Sequence, residues 1–112
     1  MDAQDRMSKT TTKRPRPTLA EIQRTLRTQL PELRERYGVT ALGIFGSYVR
    51  GEQRKRSDLD ILVEFSLAPT FFQFIEIEDQ LSQALGVKVD LVMKSALKPR
   101  IGERILAEVV MI

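Results

Sequence analysis

Three carboxylates and one glycine–serine step carry the chemical potential of this 112-residue chain. Asp58 and Asp60 lie two apart in SDLDILVEF, so on a strand both project from the same face. Asp90, in VKVDLV, alternates with Val89 and Leu91 and can share that face. Three carboxylates on one pleated surface repel each other unless a divalent cation neutralises them. Mg²⁺ suits oxygen ligands of this kind, keeps several waters, and shares its coordination with substrate phosphates. Two such ions would stabilise both the attacking and the leaving oxygen of an in-line phosphoryl transfer.

Gly46-Ser47 closes an apolar run and offers the complementary half. Glycine lets the backbone approach a ligand closely. A serine opening a short helix, Ser47 to about Arg50, presents a hydroxyl and unpaired N–H groups suited to phosphate. Arg50, Arg54, Lys55 and Arg56 follow, between this anion site and the aspartates. Each element alone has an ordinary structural explanation. A Gly-Ser step is usually a turn, an Asp-x-Asp at a strand start is usually solvated, and RKR is usually a surface loop. Their ordered conjunction carries the argument.

Composition limits the chemistry further. The chain has no cysteine and no histidine, so disulfides, thiolate metal sites and imidazole catalysis are excluded. Carboxylates and hydroxyls must do the work. Residues 1–17 carry five basic and two acidic side chains, which accounts for the whole net charge of +3. Residues 18–112 are therefore neutral, and the folded part is not expected to bind nucleic acid. KTTTKRPRP cannot bury a core, so 1–17 reads as a disordered basic tail. The start of the chain lacks the apolar core of a secretory signal, and no apolar run reaches the ~20 residues needed to span a bilayer. A soluble cytoplasmic protein is expected.

The elements that must position these residues can be read from pattern. Thr18 with Glu21, and Thr70 with Gln73, have capping-box spacing. The first helix carries an apolar face of Leu19, Ile22, Leu26, Leu30, Leu33 and Tyr37, with Pro31 expected to kink it or start a second helix. The second runs to Leu85, its apolar residues including Phe71, Phe74, Ile75, Ile77, Leu81 and Leu85; Gly38 and Gly86 mark the two ends. Strands are expected over Val39 to Phe45, Asp58 to Phe65 and Val87 to Met93. A last helix from Pro99 to Ala107 precedes a short edge strand from Val109 to Ile112. Bringing Gly46-Ser47 near Asp58 makes the first two strands antiparallel. A full helix between the second and third makes those parallel. The fold class is α/β (α+β), a small mixed sheet backed by helices.

Gly46-Ser47, ten intervening residues, Asp58-Leu59-Asp60 and the later Asp90 together resemble the minimal nucleotidyltransferase (MNT) branch of the DNA polymerase beta-like superfamily. FGSYVRG, SDLDILVEF, LGVKVDLV and LKPRI are similar to that family's pattern over roughly Leu19 to Ile112. The resemblance implies a polymerase beta-like nucleotidyltransferase domain over 18–112. Gly46, Ser47 and Arg50 would hold the triphosphate, and Asp58, Asp60 and Asp90 the magnesium ions, with Asp90 helping to activate the acceptor. It implies Mg-dependent transfer of AMP from ATP. Larger relatives carry an extra helical domain for the acceptor, so here another protein is expected to present it. Members of the minimal group are commonly paired with a HEPN-domain ribonuclease toxin and look like antitoxins that adenylylate one of its tyrosines, in a hetero-oligomer. Two alternatives stay open: a binding antitoxin that masks the toxin without chemistry, and transfer to a small molecule or RNA.

Overall fold

The computed structural model describes residues 16–112. All but Arg16 and Pro17 of the expected tail therefore lies outside the described residues. In chain order the elements are α1 (Leu19–Tyr37), β1 (Val39–Phe45), α2 (Ser47–Arg50), β2 (Leu59–Phe65), α3 (Phe71–Leu85), β3 (Val89–Met93), a 3₁₀ turn (Lys94–Ala96), α4 (Pro99–Glu108) and β4 (Val110–Met111).

Both long helices begin as their sequences demand. The Thr18 hydroxyl accepts the Glu21 N–H at 3.1 Å while the Glu21 carboxylate accepts the Thr18 N–H at 2.8 Å. Thr70 and Gln73 repeat the exchange at 3.1 and 3.0 Å. Each exchange satisfies two donors that a helix start otherwise leaves unpaired. Ile22, Leu26 and Leu33 of α1 and Ile77, Leu81 and Leu85 of α3 are buried. They cover the face of the sheet formed by Leu42, Ile44, Leu59, Ile61, Val63, Val89 and Leu91. The helices also touch through Tyr37, whose hydroxyl donates to Glu76 at 3.0 Å.

The strands lie in the order β3-β2-β1-β4. β1 pairs antiparallel with β2 and with β4, and β2 pairs parallel with β3, giving the mixed sheet expected. β3 is an edge, and α3 covers its free donors: Ser82 accepts the Val89 N–H and Glu78 accepts the Leu91 N–H, each at 3.0 Å. Blunting an edge this way prevents it from recruiting a foreign strand. On the opposite edge, β4 approaches β1 at Gly43, where a Cβ would meet Val109 Cγ2 at 2.6 Å and Met111 Sδ at 2.7 Å. Any larger residue would force Val109 and Met111 to move.

Three expectations need correction. α1 passes through Pro31 as one helix. Pro31 and Arg27, whose carbonyl loses its partner, are both exposed, so water can take the place of the missing bond. β2 starts at Leu59 and β3 at Val89, one and two residues later than their patterns suggested. Of the apolar residues of α3, Phe71 is 72% exposed and Ile75 36%, and both lie outside the core. Among the described residues no helix is long and apolar enough to cross a membrane.

Candidate active site

Sheet register brings the sequence-predicted residues together. Phe45 is opposite Asp60 across the antiparallel pair, and Asp60 is opposite Asp90 across the parallel pair. The chain leaves β1 through Gly46, at φ 84° and ψ −153°, a conformation open essentially to glycine alone. A side chain there would also collide with the Asp60 carboxylate, whose Cγ would lie 3.1 Å from the new Cβ. Glycine is thus required twice: for its backbone angles and for the space that Asp60 fills. Ser47 then opens α2, and Tyr48 buries its ring in the core. A single helical turn carries little macrodipole, so an anion at this corner would depend on the Ser47 hydroxyl and Arg50 rather than on the helix end.

Asp60 is held in an unfavourable setting. Partial burial, then the charges of Asp90 and Asp58, then a hydrogen bond with Asp90, raise its pKa from an ordinary 3.8 to about 6; Arg50 opposes them weakly. Two carboxylates in contact cannot both ionise without cost unless a cation sits between them. This donor set fits a divalent ion. Asp58 stands one residue before β2, exposed, beside a cleft of about 830 Å³ that it lines with Arg16, Arg24, Lys55, Arg56 and Lys88. Its charge reaches Asp60, but the close contact is between Asp60 and Asp90. Among the described residues no three Asp or Glu side chains are already gathered at metal-ligand spacing.

Arg50 is held by two carboxylates. Its Nε donates to Glu52 at 2.9 Å, and its Nη1 donates to Glu108 Oε1 at 2.9 Å and Oε2 at 3.1 Å. Glu108 also accepts the Gly46 N–H at 2.7 Å. Burial works against its charge, but the Gly46 N–H and then Arg50 outweigh it and hold Glu108 below the ordinary carboxylate range. Sequence reading missed Glu108. Its one hint was the apolar VVMI that follows, because antiparallel pairing of that run on β1 carries Glu108 to the Gly46 turn. Arg16 was missed as well: it donates to the Tyr48 hydroxyl at 2.8 Å and to the Ser57 carbonyl at 3.3 Å, tying the chain ahead of α1 to both ends of the α2–β2 loop.

Comparison with known proteins places the chain in a family. Residues 26–112 match the family described as Nucleotidyltransferase domain. The protein adenylyltransferase MntA of Thermococcus cleftensis is 54% identical over 93 residues, which span 83% of this chain and 94% of the relative. A solved toxin–antitoxin structure with AMP-PNP matches at 26% identity and a TM-score of 0.61, over 80% of this chain and 68% of that one. A complex of a tri-AMPylated Shewanella oneidensis HEPN toxin with its MNT antitoxin shares the fold, at 21% identity and a TM-score of 0.60, over 80% of this chain and 70% of that one.

Proposed function

Given that the chain belongs to the nucleotidyltransferase domain family, in the minimal branch that includes protein adenylyltransferase MntA, we infer that it transfers AMP from ATP to a hydroxyl of a partner HEPN ribonuclease toxin. A tyrosine is the acceptor expected, and its modification neutralises the toxin. The observation that carries this reading is Asp60, opposite Asp90 in the parallel register and packed against a glycine with no room for a side chain.

In the reaction the acceptor hydroxyl gives up its proton to solvent and its oxygen forms a bond to the α-phosphorus of ATP. The bond from that phosphorus to the oxygen bridging to the β-phosphate breaks, and pyrophosphate leaves. Ser47 and Arg50 hold the departing phosphates, and Gly46 keeps the corner tight enough for them to sit over Asp60. Magnesium, when bound, lowers the pKa of the attacking hydroxyl and neutralises charge on the phosphates; Asp58, Asp60 and Asp90 are the residues that would hold it. Asp90 is exposed on the same row as Asp60, so an acceptor presented by another protein can reach it. An ATP donor makes the cytoplasm the place of action.

The test is incubation of the purified protein and its toxin with labelled ATP. Label should pass to the toxin, and Asp58→Asn with Asp60→Asn, or chelation of magnesium, should abolish it. An unlabelled toxin in magnesium-replete buffer would refute the transfer. A second reading, masking without chemistry, is favoured by Leu67, Phe71 and Phe72, which are 80%, 72% and 76% exposed and offer apolar area to a protein. Full neutralisation by the double aspartate variant would select it.

A further inference from the structure

We propose that Glu108 is a positioning residue for nucleotide binding: it fixes the Gly46 corner and aims Arg50 at the phosphates. The proposal rests on the reading of function above. Its starting point is the register of β4 on β1, where Gly43 is opposite Met111 and Ile44 opposite Val110. Continued by two places, that register sets Glu108 opposite Gly46. The Gly46 N–H points toward an edge where β4 has already ended, so no backbone carbonyl is there to accept it. Glu108 Oε2 accepts it instead, at 2.7 Å. The carboxylate thus extends the ladder by one bond and holds the turn that must stay clear of Asp60.

The same carboxylate reaches Arg50 Nη1 through both oxygens, at 2.9 and 3.1 Å, while Glu52 takes Nε at 2.9 Å. A guanidinium has five N–H donors in a rigid plane. Engaging Nε and Nη1 fixes that plane, and Nη2, which has no hydrogen bond among the described residues, is left for an incoming phosphate oxygen. An arginine free in solution must give up its rotamer entropy when it binds an anion; one already clamped has given up most of it. Glu108 therefore strengthens phosphate binding although it is itself an anion. It is the charge complement that holds Arg50, not a competitor for its place.

Calorimetric titration of the full chain with AMP-PNP and magnesium, and separately with adenosine, tests this. Glu108→Ala should weaken AMP-PNP binding about tenfold and leave adenosine binding unchanged. Glu108→Gln keeps an acceptor for the Gly46 N–H but loses the charge facing Arg50, so it should fall between Glu108→Ala and wild type. Glu103→Gln, exposed on the same helix, should match wild type. AMP-PNP binding by Glu108→Ala that equals or exceeds wild type overturns the proposal, and a gain would make Glu108 a competing anion. Equal losses for AMP-PNP and adenosine overturn it too, since they report a general defect of fold. Should Glu108→Ala fail to fold, Glu108→Gln decides alone, and wild-type affinity there overturns the proposal. A wild-type chain that binds no AMP-PNP removes the transfer reading itself, and this proposal with it.

Discussion

Asp60 and Glu108 flank the end of β1 from opposite sides, one on β2 and the other just ahead of β4, and their circumstances are opposite. Asp60 faces Asp90 and Asp58, and its pKa is pushed up to about 6. Glu108 faces an N–H and a guanidinium, and its pKa is pulled down. Both are carboxylates partly shielded from water, so burial alone does not separate them; their partners do. A carboxylate with its hydrogen bonds and countercharge supplied by the protein is part of the architecture. One crowded by like charge is incomplete, and what completes it must come from outside. The proposed cation and substrate therefore fall on the side of β1 that carries Asp60.

Gly46 joins the two sides, and replacing it should have the largest effect. Gly46→Ala places a Cβ against the Asp60 carboxylate at a positive φ. It should cost about 3 kcal/mol of stability and reduce AMP transfer to background. Denaturant titration and the labelling assay would measure the two effects. An active, stable Gly46→Ala protein would mean that the two carboxylates do not share this corner.

Acid titration of stability, in magnesium-free buffer, should separate them by sign. Asp60 binds its proton more tightly in the folded state, so its contribution is present at low pH and is lost as pH rises from about 4 through about 6. Asp60→Asn should remove that loss and stabilise the nucleotide-free protein at neutral pH by on the order of 1 kcal/mol, although it ends activity. Glu108 has the reverse dependence: its contribution is present above its ordinary 4.5 and disappears as pH falls below that value. Glu108→Gln should therefore lower stability at neutral pH and converge on wild type in acid. Parallel pH profiles for the two variants would erase the contrast.

The smallest effect belongs to Glu52. It contacts Arg50 at 2.9 Å but is 65% exposed, against 26% for Glu108. Exposed ion pairs of this kind contribute little, so Glu52→Gln should leave the thermal midpoint unchanged within error. A shift as large as that of Glu108→Gln would show that the clamp on Arg50 is symmetrical.

Much of this was written locally. Thr18 and Thr70 announced their helices because a capping box needs only residues three apart. Leu59, Ile61 and Val63 announced the buried face of β2 because strand alternation needs only neighbours. Gly46-Ser47 and the aspartates were legible for the same reason, as residue types at short, fixed spacing. Local pattern misled where it met the limits of packing. Phe71 is apolar like the buried residues of its helix, yet it is 72% exposed. Pro31 reads as a kink or the start of a second helix, yet Arg27, whose carbonyl loses its partner, is exposed and one helix continues.

By itself, then, the sequence determined the order of helices and strands, the absence of imidazole and thiol chemistry, and the positions of Asp58, Asp60 and Asp90 along the chain. Only the tertiary structure decided that Asp60 and Asp90 touch while Asp58 stands apart, and that Glu108 closes the corner beside Gly46. Hydrogen bonds within helices and alternation along strands depend on residues a few places apart, which a pattern can encode. The meeting of Glu108 with Arg50, 58 residues away in the chain, depends on how α4 returns and where β4 docks on Gly43. That register is set by packing across the whole sheet, and no short stretch of sequence contains it.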